Sequence, residues 1–208
     1  MLKRAFDILF SAAALALLLP VLGVTAFFIK REDGGPVFYR GVRVGRHGKE
    51  FRIFKFRSMV MNADKIGGPS SSDDDPRITR AGKFIRKYKL DEIPQLLNVL
   101  KGEMSLVGPR PEVPEEVVKY TEEEKRLLSV LPGITDYASI KFHNEGEILK
   151  GSEDPHETYR RLIRPEKIRL GLQYVEERSF LKDLGIIMET AGILLGSRLK
   201  GNSGRGDA

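Results

Sequence analysis

The sequence predicts a membrane-associated α/β protein, in which an N-terminal membrane helix precedes a compact, mostly helical domain with a small β-hairpin or sheet. Three observations predict this fold class. Residues 8–29 form an apolar run without a charge, residues 37–60 alternate basic and apolar side chains, and segments of helical character fill most of the remainder. The N-terminal helix is expected to be re-entrant and broken at Pro20.

The composition limits the classes of protein to which the chain can belong. It has 208 residues, no cysteine, and a net charge of +6 from 35 basic and 29 acidic side chains. This length supports one domain with a small appendage. The absence of cysteine excludes a disulfide-stapled scaffold, a thiolate zinc site, an iron–sulfur cluster and a cysteine nucleophile.

The apolar run at residues 8–29 predicts contact with a membrane. A helix of this length covers about 33 Å, and the hydrocarbon core of a bilayer is about 30 Å thick. A buried core helix is disfavoured because a domain of the remaining size rarely hides a helix that is apolar on every face. A cleaved signal peptide is the other alternative, since Lys3 and Arg4 resemble its charged start. However, the run is longer than usual, and no small-residue cleavage site follows it.

Charges at both ends of the apolar run indicate how it meets the membrane. Lys3 and Arg4 precede the run and Lys30 and Arg31 follow it, so the positive-inside bias places both ends on the cytoplasmic side. Pro20 removes a backbone hydrogen bond near the middle and favours a break there. We therefore predict a helix that dips into one leaflet and returns, with a kinked helix across the bilayer as the alternative.

These features divide the chain into three parts. They are a re-entrant helix at residues 1–30, a cytosolic domain at the membrane interface at residues 31–199, and a disordered tail at residues 200–208. An apolar helix at residues 183–199 is expected to lie either along the membrane surface or in the core. Further charged helices are predicted at residues 115–130 and 165–177.

The alternating block at residues 37–60 predicts a β-hairpin with Gly45 and Gly48 around its turn, followed by a strand that ends at Phe56. Its basic side chains have three interpretations: a solvated strand face, attraction to anionic lipid headgroups, and a phosphate-binding wall. The lipid interpretation suits arginines near the membrane helix, and the phosphate interpretation suits basic residues held among aromatics. The former are Arg40, Arg43 and Arg46, and the latter are Lys55 and Arg57. We expect no nucleic-acid partner because no helix-turn-helix, finger or RNP motif accompanies the charge.

A polar loop at residues 62–76 contains three consecutive acids, Asp73 to Asp75. Carboxylate oxygens suit Mg²⁺, but a run of Ser and Asp in a loop is more often a solvated turn, and we favour the turn. Asp75 precedes Pro76 and is expected to cap the segment that follows.

Two adjacent acids, Asp91 and Glu92, are the strongest candidates for chemistry. A basic helix is predicted at residues 81–89, and a second helix has Pro94 in its first turn and Gly102 at its C-terminal cap. The acids would lie at or just before the start of the second helix, where free N–H groups favour negative charge. Capping is one explanation of the pair. In the other, one carboxylate attacks an electrophilic phosphorus, and the second orients Mg²⁺ or accepts a proton.

The segment Gly108-Pro109-Arg110-Pro111 favours the chemical explanation. Prolines on both sides of Arg110 fix the backbone and present the guanidinium at low entropic cost, as a phosphate clamp requires. Arg110 is therefore a candidate phosphate-binding residue, together with Lys55.

Four motifs occur in the order in which a known family has them. They are KFRSM at residues 55–59, DPRIT at 75–79, LDEIPQLLNVLKGEMSLVGPRP at 90–111 and LPGIT at 131–135. On these motifs, the chain from Lys3 to Thr190 resembles the bacterial sugar transferase family, whose members are monotopic polyprenyl-phosphate phosphoglycosyl transferases. With one apolar segment before the catalytic domain, it resembles the small members.

The resemblance implies an enzyme on the cytoplasmic face of the bacterial inner membrane. It would transfer a sugar 1-phosphate from a UDP-sugar to undecaprenyl phosphate and release UMP, as the first membrane step toward an O-antigen, capsule, exopolysaccharide or glycoprotein. The implied mechanism is ping-pong through a phosphoglycosyl-aspartate at Asp91, with Glu92 beside it and Mg²⁺ as cofactor on this pair. Membrane phospholipids are further partners, and a homodimer is left open. The substrate-binding residues would be Lys55, Arg57, Arg86, Arg110 and His143.

The chain departs from the family pattern at three positions. Leu19 stands before the membrane proline where Ser is frequent, and Gly171 stands where Asp is common. Residues 137–144 read YASIKFHN in place of a Trp-Ala-Gln-Val-Asn-Gly-Arg-Asn run, so His143 replaces an Arg expected in the substrate site. These departures predict a subgroup with its own nucleotide-sugar preference. His143 is either a ligand or an ordinary surface residue.

Two other functions are alternatives to this enzyme. A catalytically silent membrane scaffold would use the basic block to recruit partners, but the intact acid pair and the GPRP segment argue against it. A UDP-sugar pyrophosphatase would release UMP without a polyprenol. An assay without the lipid acceptor separates this second alternative from a transferase.

Overall fold

The computed structural model describes residues 2–68 and 70–202, which form a mostly helical structure with three two-stranded sheets. The helices are α1 (Leu2–Asp33), α2 (Arg80–Lys87), α3 (Leu96–Lys101), α4 (Pro114–Val117), α5 (Tyr137–Lys141), α6 (Glu145–Ile148), α7 (Pro155–Thr158), α8 (Arg164–Glu177) and α9 (Phe180–Asn202). The strands are β1 (Phe38–Tyr39), β2 (Val42–Val44), β3 (Glu50–Arg52), β4 (Lys55–Phe56), β5 (Ser105–Val107) and β6 (Gly133–Thr135). Short 3-10 helices lie at Arg46–Gly48, Ala63–Lys65, Leu90–Gln95 and Glu124–Ser129, and a π-helix lies at Tyr159–Ile163.

α1 is a single helix that continues through Pro20, so the predicted break in its secondary structure is wrong. A proline removes only one backbone donor, and the turns on either side keep their own hydrogen bonds. In the turn after the proline, Thr25 Oγ1 donates to Val21 O at 2.8 Å. Ser11 Oγ is buried and has no hydrogen-bond partner in the described part of the chain. Among the described residues, α1 is the one helix long and apolar enough to cross a membrane.

Polar contacts fix the first turns of α1 to the domain. Arg4 donates to two carbonyls in the last turn of α3, from Nη1 to Val99 O at 2.7 Å and from Nη2 to Leu100 O at 3.2 Å. Asp7 is only 2% exposed. It accepts a hydrogen bond from Ser105 Oγ at 2.8 Å and one from Leu106 N at 3.3 Å, both in β5.

The last turns of α1 are fixed to the same domain. Asp33 forms a bidentate ion pair with Arg57, in which both N···O distances are 2.5 Å. Glu32 Oε1 accepts a hydrogen bond from Arg80 N at 2.8 Å, at the start of α2. Ile29 is buried in a cluster with residues of β4 and α2. Both ends of the apolar helix therefore contact one domain.

The predicted β-hairpin is confirmed. β2 pairs antiparallel with β3, and the turn between them includes Gly48, whose φ of 74° is in the left-handed region. β1 pairs antiparallel with β4, which ends at Phe56 as predicted. This pairing places Lys55 opposite Tyr39.

The pair formed by β5 and β6 is parallel and is not predicted from the sequence, because each strand has only three residues. Gly108, which follows β5, and Gly133, the first residue of β6, make a close backbone contact. A Cβ at Gly133 would lie 2.1 Å from Gly108 N, so only glycine fits there. Gly108 N donates to Thr135 O at 3.1 Å, and Gly133 N donates to Pro109 O at 3.0 Å. These bonds fix the start of the GPRP segment.

The helices agree with the sequence patterns in part. α2 begins after Thr79, whose Oγ1 accepts a hydrogen bond from Gly82 N at 3.0 Å, and Gly102 is the predicted C-terminal cap of α3. The predicted helix at residues 115–130 is wrong, because α4, a loop and a 3-10 helix occupy this range. Packing of both short pieces in one apolar cluster with α8 is the physical reason for the bend in the chain.

α8 matches the helix predicted at residues 165–177. α9 ends at Asn202 and so extends into the first three residues of the predicted disordered tail, which stays a prediction. Residues 203–208 of that predicted tail lie outside the described residues. One side of α9 lies in the core through Ile186, while apolar side chains on other sides are exposed. Leu181, Met188 and Leu195 are among these exposed residues.

Candidate active site

Asp91 and Glu92 lie in the first turn of the 3-10 helix that precedes α3. The pair therefore comes before α3, as predicted, but Pro94 lies inside the 3-10 helix and not in the first turn of α3. Lys89 has a left-handed φ of 54°, which reverses the chain after α2. This reversal brings the acid pair against β4.

Lys55 of β4 contacts the acid pair. Its Nζ donates to Glu92 Oε1 at 2.8 Å. Asn98 of α3 holds the segment before Lys55, because its side chain accepts from Phe54 N at 2.8 Å and donates to Arg52 O at 3.0 Å. Burial lowers the pKa of the Lys55 ammonium, and the charge of Glu92 opposes this effect.

Arg110 binds the same carboxylate as Lys55. Its Nη1 donates to Glu92 Oε2 at 3.2 Å, and its Nη2 donates to Glu92 Oε1. The flanking prolines are both buried, which is consistent with a rigid clamp. The charge of Glu92 raises the pKa of Arg110, so the guanidinium stays protonated.

Glu92 is thus neutralised by two cations of the protein itself. Burial opposes ionisation of this carboxyl, but Arg110 and Lys55 outweigh that effect and hold its pKa well below its usual range. Both oxygens accept hydrogen bonds from these cations. Glu92 is therefore a fixed anion that orients Lys55 and Arg110, and it is a poor candidate for a nucleophile.

Asp91 has the opposite environment. Its Oδ1 is buried and accepts no hydrogen bond from the described part of the chain. Burial, and then the charge of Glu92, raise the pKa of Asp91, while Lys55 and Arg86 oppose the rise. Because no donor stabilises this oxygen, its lone pairs remain available to an electrophile or a metal ion.

Arg86 of α2, the third predicted cation, lies within electrostatic range of Asp91. Its charge acts on Asp91 and lowers the pKa of that carboxyl. Its Nη2 donates to Ser71 Oγ at 2.9 Å, which connects the loop at residues 62–76 to the site.

Arg57 and His143 are not brought into this cluster. Arg57 pairs with Asp33 at the end of α1, and its Nε donates to Pro36 O at 2.7 Å. The His143 side chain is exposed, and its Nδ1 lies 3.1 Å from Ile140 O, one turn earlier in the chain. The phosphate-binding roles of both residues remain predictions without a supporting contact.

A Mg²⁺ ion fits Asp91 better than it fits the pair as a whole. Within residues 2–68 and 70–202, no three acidic or histidine side chains come together as a metal site. Glu92 has both oxygens engaged by cations, whereas Asp91 Oδ1 is buried and unbonded. Mg²⁺ in nucleotide enzymes is commonly bound by one or two carboxylates plus substrate phosphates, and Asp91 can supply such a ligand.

Asp75, the last of the three consecutive acids in the loop at residues 62–76, has a structural partner. Asp75 pairs with Arg77 at 2.7 Å, and that guanidinium lowers the pKa of the Asp75 carboxyl. Asp75 Oδ1 also accepts from Arg77 N at 2.9 Å. These contacts agree with the turn that the sequence favours at this position.

Further charges surround Arg110, and the sequence analysis missed them. Asp136 and Glu145 both act electrostatically on Arg110, and Glu145 pairs with Lys167 of α8. Asp136 is buried and accepts from Ser139 N and Ser139 Oγ, both at 2.7 Å. Burial raises the pKa of Asp136, and the bonds from Ser139 oppose the rise. The position of Asp136 directly after the LPGIT motif is a signal that could have indicated it.

Gly171 of α8 packs near the GPRP segment. A Cβ there would lie 2.8 Å from Leu127 Cδ2 and 3.7 Å from Pro109 Cβ. An aspartate at this position would have to displace Leu127. Close packing under the GPRP segment therefore accounts for glycine at this departure from the family pattern.

Comparisons with known proteins agree with the motifs. The family model for the bacterial sugar transferase matches residues 1–197. The chain is 40% identical over 207 residues to galactosyl transferase CpsE of Streptococcus agalactiae, a match that covers 93% of this chain and 42% of that protein. It is 37% identical over 209 residues to undecaprenyl-phosphate galactose phosphotransferase of Salmonella typhimurium, covering 93% and 40%.

A third relative is the UDP-glucose:undecaprenyl-phosphate glucose-1-phosphate transferase of Escherichia coli. It is 37% identical over 199 residues, which are 91% of this chain and 39% of that protein. The chain spans less than half the length of these three relatives. Because the family model matches nearly the whole sequence, the chain belongs to the bacterial sugar transferase family.

Proposed function

We propose that the chain is a phosphoglycosyl transferase, which moves a sugar 1-phosphate from a UDP-sugar to undecaprenyl phosphate and releases UMP. Two relatives that match more than 90% of the chain are named as transferases that act on undecaprenyl phosphate. One name specifies galactose phosphotransfer, and the other specifies transfer of glucose 1-phosphate. The reaction would start the assembly of a bacterial glycan. We further propose that it proceeds by a ping-pong mechanism through Asp91.

The single observation that carries this proposal is the contrast within the acid pair. Two cations bind Glu92, whereas Asp91 Oδ1 is buried without a hydrogen-bond donor. A carboxylate that only capped a helix would accept backbone N–H bonds. The arrangement instead supports a nucleophile beside cations that can neutralise a diphosphate.

In the proposed first step, a carboxylate oxygen of Asp91 attacks the phosphorus that carries the sugar. A new P–O bond forms, the bond to the bridging oxygen breaks, and UMP leaves with that electron pair. Lys55 and Arg110 would hold the anionic oxygens, which otherwise repel the carboxylate. Because both cations are already paired with Glu92, their charges are oriented before the substrate binds.

In the proposed second step, a phosphate oxygen of undecaprenyl phosphate attacks the same phosphorus. The bond to Asp91 breaks, the carboxylate is restored, and the product is a polyprenyl diphosphate sugar. The acceptor phosphate is a second anion that approaches the phosphorus at Asp91. The cations near Asp91 therefore serve both steps.

Mg²⁺ is proposed as the cofactor, and Asp91 is the residue that would hold it. When bound, it would supply Lewis-acid neutralisation of the diphosphate. Glu92 would join its ligands only by releasing Arg110 or Lys55. The chain's own contribution is to keep Asp91 buried beside cations, and to keep Glu92 paired so that its charge does not repel the donor.

Incubation of the purified enzyme with UDP-sugar alone tests this mechanism. We expect one equivalent of UMP, a mass increase equal to one sugar phosphate, and the modification on the peptide that contains Asp91. Asp91→Asn should prevent the adduct, while Asp33→Asn, which removes an acid far from the pair in sequence, should form it normally. Continuous UMP release without the lipid would instead indicate a pyrophosphatase. Product formation without any adduct would indicate direct displacement.

The membrane topology is the second part of the proposal. Asp7 binds β5 and Asp33 binds Arg57, so both ends of α1 contact one domain, although about 39 Å of helix separates them. A helix that crossed the bilayer would place its ends on opposite sides of the membrane. The arrangement therefore supports a helix that enters and leaves at one face, which we propose is the cytoplasmic face.

The exposed middle of α1 agrees with this topology. Apolar side chains there have large exposed fractions, which in water would form an unusually large apolar surface. They include Leu9, Leu17, Leu19, Val24, Phe27 and Phe28.

Cysteine labelling tests the topology, because the chain has no native cysteine. Leu2→Cys lies at the first residue of α1 and Pro36→Cys lies just beyond its last residue, and both leave the charged ends of the helix intact. We expect a membrane-impermeant maleimide to label neither in intact cells and both in inverted membrane vesicles. Labelling of one position from outside the cell and of the other from inside would show a helix that crosses the bilayer.

A further inference from the structure

A cavity of about 510 Å³ opens on the surface between Lys119, which follows α4, and the segment that runs from α7 through the π-helix into α8. Its lining carries four positive charges and one negative charge. The lining residues are Lys119, Glu157, Arg160, Arg161 and Arg164. None of them belongs to the candidate active site around Asp91.

Two of the cations are held by carboxylates beneath the cavity. Lys119 Nζ donates to Glu116 Oε1 at 2.5 Å, and Arg164 Nη1 donates to Glu124 Oε1 at 3.1 Å. Arg164 Nε lies 3.6 Å from Glu116 Oε2. Glu116 is only 4% exposed, so its charge is fixed in the structure. These pairs limit the motion of Lys119 and Arg164.

The other two cations make no direct contact with a carboxylate among the described residues, although Arg160 acts electrostatically on Glu116. Arg160 and Arg161 are exposed, and neither forms a hydrogen bond or ion pair with another residue in the described part of the chain. They lie on the π-helix at Tyr159–Ile163, a rare conformation that is frequent at functional sites. The wide turn comes shortly before Pro165, which lacks an N–H and would crowd the preceding turn of an α-helix.

The turn that carries these two arginines is rigidly attached. Tyr159 is buried, and its hydroxyl donates to Glu112 Oε1 at 2.9 Å. Lys167 Nζ lies 4.9 Å from the centroid of the Tyr159 ring. The arginines are therefore presented from a fixed backbone, which lowers the entropy cost of binding a ligand.

We propose that this cavity binds a phosphate group, with Arg160 and Arg161 as direct ligands and with Lys119 and Arg164 at its walls. Two guanidinium forks suit the three oxygens of a phosphate, which carries about 1.5 to 2 negative charges at neutral pH. A single carboxylate would neutralise less of the charge. A soluble phosphate compound and a lipid headgroup share this chemistry, so either one can supply the phosphate group.

Chemical footprinting with phenylglyoxal, which modifies accessible arginines, tests the proposal on the full chain. One arm uses detergent-solubilised protein with inorganic pyrophosphate or UMP, and the other compares nanodiscs of phosphatidylglycerol and phosphatidylcholine. We expect modification of Arg160 and Arg161 to slow about tenfold when the ligand is at about ten times its Kd. Arg126, which is paired with Glu176, is the internal reference and should not change.

The two arms distinguish the source of the phosphate. Protection by pyrophosphate or UMP identifies a soluble ligand, and protection only in phosphatidylglycerol identifies a headgroup. Both results support the proposal. Protection in neither arm overturns it. Protection by a polyglutamate peptide but by no phosphate also overturns it and indicates an acidic protein partner.

A pair of matched variants gives an independent readout. Arg160→Gln with Arg161→Gln removes two adjacent charges from the cavity. Lys125→Gln with Arg126→Gln removes two adjacent charges that already pair with exposed acids. Calorimetric titration with pyrophosphate, or flotation with phosphatidylglycerol vesicles where the footprint identifies a headgroup, should show at least about tenfold weaker binding for the first variant only. Equal losses in both variants would show a general charge effect and overturn the site.

Discussion

The candidate active site and the contact between the start of α1 and β5 each contain a buried aspartate. The two side chains differ in their hydrogen-bond partners. Asp7 accepts hydrogen bonds from Ser105 Oγ and Leu106 N, so its oxygens have partners within β5. Asp91 Oδ1 accepts none from the described residues, although Lys55 lies close enough to act on its charge. The difference teaches that burial alone does not identify a reactive carboxylate. A buried carboxylate oxygen that lacks a hydrogen-bond donor and lies beside cations is a better indicator of reactivity.

The cations of the two regions differ in the same way. Arg57 and Asp33 form a closed pair at the end of α1, which holds the helix to the domain. Arg110 also pairs with a carboxylate, but Glu92 shares its charge with Lys55, and Asp91 next to it is unbonded. A closed pair stabilises the structure. The open cluster has charge available for a ligand.

The largest effect is expected for Asp91→Asn. The proposed nucleophile is lost at nearly constant shape, so transfer of sugar phosphate should fall by at least about 10³-fold. The midpoint of thermal unfolding should stay the same or rise, because a buried carboxylate without a donor is removed. The measurement is radiolabelled transfer together with circular dichroism in detergent. Retained transfer, or a drop in the midpoint, would contradict the contrast with Asp7.

Arg110→Lys should lower kcat/KM by about 10²-fold, because one ammonium cannot replace the fork that binds both oxygens of Glu92. Arg57→Lys is the matched control, since Arg57 makes an equally bidentate pair away from the acid pair. It should lower stability by about 1 kcal/mol and leave kcat/KM nearly unchanged. If the two variants lose activity equally, the distinction between the open cluster and the closed pair is wrong.

Asp7→Ala should lower the free energy of unfolding by about 1–3 kcal/mol, because Ser105 Oγ and Leu106 N lose their acceptor in a buried place. Denaturant titration in detergent measures the loss. Asp7→Asn keeps one acceptor oxygen, so it should lose less free energy of unfolding than Asp7→Ala. Transfer activity per folded molecule should change far less than in Asp91→Asn. A loss of activity as large as in Asp91→Asn would make Asp7 part of the chemistry.

The smallest effect is a pH dependence at the Asp33–Arg57 pair. The hydrogen bonds from Arg57 lower the pKa of Asp33 from an ordinary 3.8 to about 2. The stabilisation by this ionised carboxylate is therefore fully present above about pH 4 and is lost as the pH falls toward 2. We expect it to be about 1 kcal/mol, since the carboxylate is partly exposed and screened by solvent. Unfolding midpoints of wild type and Asp33→Asn should differ at pH 5 and converge at pH 2, and a constant difference would contradict the pair.

Sequence patterns predicted the elements that depend on local signals. The apolar run predicted α1, the alternation around Gly45 and Gly48 predicted the β-hairpin, and Gly102 predicted the end of α3. They failed where distant packing decides. The parallel pairing of β5 with β6 depends on a close contact between Gly108 and Gly133, which are 25 residues apart in the sequence.

The candidate site shows the same division. Asp91, Glu92, Lys55, Arg86 and Arg110 were selected from residue type and motif, and the structure brings them together. Arg57 was selected for the same reasons but pairs at the end of α1. A basic residue between aromatic neighbours has the same local pattern in both settings, so only its three-dimensional partner separates a substrate ligand from a structural ion pair.

The sequence by itself determined the family of this protein, its membrane-seeking helix and the pair of acids with an arginine between prolines, because these follow from residue types at fixed spacings. Only the tertiary structure decided which acid is neutralised and which is left unbonded. It also decided that both ends of α1 attach to one domain. The physical reason is that burial, hydrogen bonding and electrostatic balance depend on neighbours that are remote in the chain.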